Sequence, residues 1–208
     1  MKIGIAGGIG SGKSYVARLL KQHGITVYDC DSAAKRLMRE DPQLRQQLTD
    51  LIGPDCYLCD KPQEANEADK AHEPQKLRLN KAAVSRFLLA SDDNAQAINA
   101  IVHPAVFADF EQSGLQWLES GIMYESGANR YVDRVVVVTA PEEVRISRIM
   151  QRDHINRQQA LEWMQRQWSQ DEVRRRADYE IVNDGTTDIN EQIEKILEAI
   201  SRNIETSK

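Results

Sequence analysis

Eight residues near the amino terminus constrain this chain more than any other stretch: Gly7-Gly8-Ile9-Gly10-Ser11-Gly12-Lys13-Ser14. They fit the spacing Gly-x4-Gly-Lys-Ser/Thr at every fixed position, a pattern that surrounds phosphate oxygens with backbone N–H groups. Glycine permits the tight turns and the close backbone approach such a cradle needs. Lys13 can then reach the β and γ oxygens of a nucleoside triphosphate as a point charge, and Ser14 can offer its hydroxyl to Mg²⁺. A helix starting near Gly12 would aim its positive end at the same anion. With glycine at about 7% of average usage, the four fixed positions match by chance in about 1% of chains this long, so the flanks must agree. They do. Lys2-Ile3-Gly4-Ile5-Ala6 reads as a short buried strand, while Val16, Leu19 and Leu20 lie at helical spacing before a stop at Gly24. The stretch predicts a triphosphate site built on Gly8, Ile9, Gly10, Ser11, Gly12, Lys13 and Ser14.

A chain of 208 residues suits one α/β domain carrying an inserted subdomain. Its net charge of −5 argues against a general nucleic-acid binder, whose usual footprint is a basic excess. The longest apolar runs are strand-length, so no membrane span is expected. No basic-then-apolar leader precedes the first strand, which makes a cytoplasmic location the expectation. Cys30, Cys56 and Cys59 are an odd set that does not suggest a disulfide framework. Cys56 and Cys59 have C-x2-C spacing with His72 beyond, but the fourth ligand of a zinc site is missing, and free thiols are the reading taken here.

Ile25 to Tyr28 reads as a second strand closed by Asp29-Cys30-Asp31, with a helix from Ser32 to Arg39. A strand–helix–strand unit of this kind is parallel and right-handed, and ligands gather at the carboxyl ends of its strands, so both aspartates fall beside the phosphate loop. Asp41-Pro42 starts another helix, which ends near Gly53, and Asn80 caps a further one through Leu89. Asp50-x-x-Gly53 mimics a GTPase switch pattern but lies at a helix end, and no Asn-Lys-x-Asp is present for guanine. Residues 60 to 76 read as a solvated acidic-basic loop. His103-Pro104 should interrupt or kink the helix begun near Asp92. The whole stretch from 33 to 112 reads as helical without a convincing strand, an insertion into the α/β core.

The core resumes at Leu115 to Glu119, a strand ending in a carboxylate that either orders Mg²⁺ or is an ordinary strand terminus. Val135 to Val138 is the strongest strand and belongs at the sheet centre. After it, Pro141-Glu142-Glu143 opens a helix ending in Gln151-Arg152-Asp153-His154. Asn156 with Gln159, and Ser169 with Glu172, read as capping-box pairs that start two arginine-bearing helices. Ala177 to Val182 forms a last strand, and Ile189, Ile193, Ile196, Leu197 and Ile200 share one face of a closing helix.

Phosphoryl transfer to an alcohol needs in-line placement, water exclusion and an acceptor for the hydroxyl proton. Asp31 can supply the last, and the helices after Gln151 look like a lid. Arg152 then stands either where a closing lid delivers it to the transferring phosphoryl or as a surface cation at a helix end. Taken in order, the loop at 7–14, Asp29 and Asp31, His103-Pro104, Glu119, Gln151-Arg152-Asp153 and the run from Ala177 to Gly185 resemble the dephospho-CoA kinase family over nearly the whole chain.

That resemblance implies an α/β fold of the phosphate-loop kinase kind. It has a five-stranded parallel nucleotide-binding core (1–32 and 113–208), a helical acceptor domain (33–112) and a helical lid (about 151–176). It implies transfer of the ATP γ-phosphate to the ribose 3′-hydroxyl of dephospho-CoA, the last step of coenzyme A synthesis, with Mg²⁺ as cofactor. ATP and dephospho-CoA are the partners expected, with no nucleic acid, membrane or protein partner. Asp31 matches the catalytic aspartate, Arg152 the lid arginine, and Asn183 the segment bordering adenine; Asp29 and His103 are acceptor-side candidates, and Ser14 with Glu119 forms the metal side. Asp29 is also open to a metal-side role. Tyr15, the next ATP-side position implied, follows Ser14 where the family usually has threonine, and Gly121 to Glu125 replaces a Pro-Leu-Leu-Phe-Glu segment. A nucleoside or other small-molecule kinase, and a binding module without catalysis, are the alternatives.

Overall fold

A computed structural model of the chain describes residues 1–59 and 77–206. The chain opens with β1 (Ile3–Ala6), α1 (Lys13–Gln22) and β2 (Val27–Asp29). It continues through α2 (Cys30–Glu40), α3 (Pro42–Ile52), the short strands β3 (Tyr57–Cys59) and β4 (Leu77–Leu79), α4 (Lys81–Ala90) and α5 (Asp92–Ser113). Next come β5 (Trp117–Glu119), β6 (Arg134–Thr139), α6 (Glu142–Asp153), α7 (Arg157–Gln165), α8 (Gln170–Arg176), β7 (Tyr179–Val182) and α9 (Ile189–Thr206). The chain divides into two compact units, Met1–Cys30 with Phe110–Lys208, and Asp31–Asp109.

In the first unit five parallel strands lie in the order β2-β5-β1-β6-β7. From β1 the chain crosses to β2 on one side and later fills β6 and β7 on the other, so the order reverses around β1. The carboxyl end of β1, where Gly7 to Ser14 begins, is therefore the switch-point crevice where ligands bind in open α/β sheets. Alternation sorts the strands: Ile3, Ile5, Trp117, Val136, Val138 and Ile181 share a buried cluster with Val16, Leu19 and Leu20 of α1 and Ile193, Ile196 and Ile200 of α9. The predicted apolar face of the closing helix is thus core. Between Ile3 and Ile5 sits Gly4, where a Cβ would stand 2.8 Å from Met123 Cε; only hydrogen fits.

The second unit holds α3, the β3–β4 hairpin, α4 and most of α2 and α5. Asp41 caps α3 by accepting from the amides of Gln43 and Leu44 (2.8 and 3.1 Å), and Gly53 donates to Thr49 O at 2.8 Å as that helix stops. Asn80 caps α4 through Ala83. Two expectations fail here. The antiparallel pairing of Tyr57–Cys59 with Leu77–Leu79 is strand structure in a stretch read as helical; three-residue strands carry too little alternation to be seen locally. Pro104 lies inside one continuous 22-residue helix. It is exposed, as is Ala100 one turn earlier, so the carbonyl that loses its N–H partner faces solvent while Val102, Val106 and Phe107 are buried. The acidic-basic loop of residues 60–76, with His72, lies outside the described residues. Cys56 is buried and Cys59 exposed.

Candidate active site

The phosphate loop takes its shape from glycines that no other residue can replace. Gly7 (φ 147°) would place a Cβ 2.5 Å from Val138 O, and Gly10 (φ 79°) would place one 2.7 Å from Arg145 O. Gly12 is the left-handed N-cap of α1, and Lys13 and Ser14 form its first turn. Ser11 is fully buried, and its hydroxyl has no hydrogen-bond partner among the described residues.

Side chains from distant elements hold the loop by its carbonyls. Arg145 Nε donates to Ile9 O at 3.0 Å, and Arg148 Nη1 donates to both Gly10 O and Ser11 O at 3.3 Å. Asn183 Nδ2 donates to Ser11 O at 2.8 Å, and Arg148 Nη2 reaches the Asn183 carbonyl and side-chain oxygens at 3.1 Å each. A trans peptide points its C=O and N–H in opposite directions, so tying back the carbonyls of Ile9 and Ser11 turns the amides of Gly10 and Gly12 toward the other side, the concave one. Arg145 and Asn183 are both buried. Burial pulls the Arg145 pKa down, yet a guanidinium keeps its charge at neutral pH. Ile9 packs its side chain into a cluster with Ile146, Ile149 and Ala160, joining the loop to α6 and α7. Gln167, just after α7, accepts from the Ile9 amide at 2.8 Å and donates to Gly121 O at 3.1 Å.

On the metal side, Ser14 Oγ donates to Glu119 Oε1 at 3.0 Å. Asp29 and Glu119 end adjacent strands in the same register. These are hard oxygen donors of the kind Mg²⁺ accepts, and Mg²⁺ commonly binds one or two carboxylates while keeping water and phosphate oxygens. The donor set fits the ion. Among the described residues no cluster of three or more His, Cys, Asp and Glu exists that would suit a fully protein-bound metal.

Tyr15 is exposed one residue beyond Ser14, with the Arg18 guanidinium 5.7 Å from its ring centroid. Arg152, at the end of α6, forks onto Asp153 at 2.7–3.1 Å. Asp31 and His103 belong to the second unit. Asp31 is exposed in the first turn of α2, because the helix begins at Cys30 and not at Ser32, while Asp29 ends the strand, so the two aspartates stand on different backbone conformations. His103 is half-buried, packs on Phe107 one turn away, and burial lowers its pKa.

This arrangement has known relatives. The dephospho-CoA kinase family model matches residues 1–188, and a dephospho-CoA kinase of Bacteroides fragilis is 36% identical, the alignment covering 97% of this chain and 92% of that one. The chain belongs to the dephospho-CoA kinase family. A Thermus thermophilus protein of known structure is similar to this kinase with a TM-score of 0.73 and 28% identity, covering 96% of both chains. A dephospho-CoA kinase from Campylobacter jejuni shares the fold, with a TM-score of 0.62 at 18% identity over 98% of this chain and 99% of that one. The kinase uses ATP to phosphorylate dephospho-CoA in coenzyme A biosynthesis. No helix among its described residues is long and apolar enough to cross a membrane.

Three loop contacts of the kinase escaped the sequence reading: Arg145, Arg148 and Gln167. The two arginines are one helical turn apart in a helix that directly follows β6, a spacing that hints at one shared face. Gln167 carries no local signal at all.

Proposed function

We propose that the kinase transfers the γ-phosphoryl group of ATP to the ribose 3′-hydroxyl of dephospho-CoA, with Asp31 accepting the proton of that hydroxyl. The observation that carries the nucleotide half is the phosphate loop tied back through its carbonyls beside the Ser14–Glu119 pair. Gly10, Gly12, Lys13 and Ser14 present backbone donors within the loop from Gly8 to Ser14, Lys13 draws the β and γ oxygens together, and Asn183 faces the nucleoside end. Ser14 and Glu119, with Asp29 beside them, would hold Mg²⁺, which supplies charge neutralisation at the β- and γ-phosphates when bound. The stretch from Arg152 through α8 works as the lid, and Arg152 exchanges Asp153 for the transferring phosphoryl as it closes. Residues 31–109 hold the acceptor, with His103 on that side.

Asp31→Asn keeps the shape and removes the charge. Single-turnover transfer to dephospho-CoA is expected to slow by about 10²–10⁴, the usual cost of a lost general base, while ATP binding at fixed Mg²⁺ stays within a few-fold. Lost ATP binding that returns at high Mg²⁺ would move Asp31 to the metal side. Measuring ATP consumption with dephospho-CoA, nucleosides and buffer alone separates this reading from a broader nucleoside kinase.

A further inference from the structure

Gln167 has an unusual position for a residue between two short helices. Its Oε1 accepts the Ile9 amide of the phosphate loop at 2.8 Å, and its Nε2 donates to the Gly121 carbonyl beyond β5 at 3.1 Å. A Cβ placed on Gly121 would stand 3.5 Å from Gln167 Nε2 and 3.6 Å from Lys13 Nζ, so the carboxamide nitrogen and the loop ammonium flank one point. Gly8 lies on the other side of the same carboxamide, where a Cβ would come within 3.4 Å of Oε1. One side chain therefore joins the phosphate loop, the β5 end and the α7–α8 junction.

We propose that Gln167 is a specificity-determining residue that reads the γ-phosphate and couples its presence to the position of the α7–α8 segment. The inference rests on the assignment of Lys13 to the β and γ oxygens. A primary amide nitrogen has two N–H groups, and the bond to Gly121 uses one. The second is a donor on the Lys13 side, where the γ-phosphate of ATP has oxygens and ADP has none. A hydrogen bond to such a charged oxygen is stronger than one between neutral groups. Because Oε1 remains on Ile9, the side chain can engage the terminal phosphate without releasing the loop. The backbone that carries it, between Gln165 and Gln170, keeps its tie to Ile9 with either nucleotide, gains a further hold through the γ-phosphate while ATP is bound, and loses that added bond when ADP forms.

The test compares ADP with the β,γ-imido analogue of ATP, titrated calorimetrically at fixed Mg²⁺ into the full chain and into Gln167→Leu, Gln167→Glu and Lys13→Ala. Gln167→Leu is expected to weaken the imido analogue about tenfold or more, the size of a lost hydrogen bond to a charged group, and to leave ADP within about twofold. The kcat/KM for ATP should fall by the same factor. Gln167→Glu retains an acceptor for Ile9 but sets a carboxylate beside the γ-phosphate, so it should weaken the analogue more than Gln167→Leu while ADP again changes little. Equal weakening of both nucleotides, with a lowered melting temperature, would make Gln167 a structural tie and overturn the proposal; so would no weakening of either. Lys13→Ala tests the underlying assignment separately. If it binds the analogue normally and turns over normally, the phosphate-loop reading itself fails, whatever the Gln167 variants do.

Discussion

A planar peptide cannot turn its carbonyl without turning the next amide, and through that constraint single side chains shape the phosphate loop. Lys13, Ser14 and the glycines are legible because the motif is local and each position has one physical reason. Arg145 is not, because its partner Ile9 lies 136 residues away and its own helix offers no clue to what it faces. Asn183 was named as a neighbour of the nucleotide; the fold shows that its amide is committed to Ser11 O and to Arg148. Residue-scale electrostatics also mark Tyr57, whose hydroxyl donates to Met38 O at 2.6 Å. Burial, with the neighbouring Cys56 thiol, pushes the Tyr57 pKa up to about 12 from 10.0. Below the unfolded value both states hold the proton; between about pH 10 and 12 the unfolded chain releases it first, so stability falls as pH rises through that window. Tyr57→Phe should cost about 0.5–1.5 kcal/mol near neutral pH through the lost hydrogen bond. It should also flatten the alkaline decline, as read by urea denaturation on either side of pH 10. An unchanged alkaline slope would remove Tyr57 as its source.

Elements were legible in proportion to their length and to their caps. The Asn156–Gln159 capping box that starts α7 forms in full, with bonds of 2.9 and 3.0 Å. At α8 only one arm was found: Ser169 accepts from the Glu172 amide, while the Glu172 carboxylate faces Arg176 at 3.9 Å. Arg176 also lies over Trp168, which stacks on Tyr124. These contacts, between exposed and half-buried side chains, are individually weak. Hydrogen exchange across α7 and α8 should therefore be fast in the ligand-free protein and slow when the imido analogue and dephospho-CoA are both present. Equal exchange in the two states would leave Arg152 as a surface cation. In α5, the geometry of Pro104 predicts an interruption or a kink; the helix runs through it uninterrupted, because the buried residues around it outweigh that preference. Pro104→Ala restores an N–H for Ala100 O and should raise stability by up to about 3 kcal/mol in thermal or urea unfolding. No gain would mean that the proline's fixed backbone angle already offsets the missing bond.

At the scale of the whole molecule, the first unit depends on one buried layer shared by the sheet, α1 and α9. Ile193 is 1% exposed within it, and Ile193→Ala should destabilise the protein by about 2–5 kcal/mol, measured by chemical denaturation. A loss below about 1 kcal/mol would show that α9 is not integral to that core. The sequence by itself determined the class of fold, since a buried strand, a glycine loop and an amphipathic helix in that order admit few arrangements. It also marked the loop proposed to hold the triphosphate, because the eight residues of that motif are consecutive. The tertiary structure alone decided which distant groups hold that loop in shape, that Glu119 meets Ser14, and that Asp31 begins inside a helix. Those outcomes depend on strand order and helix register, which arise from packing many weakly informative positions together; no local stretch of the chain encodes them.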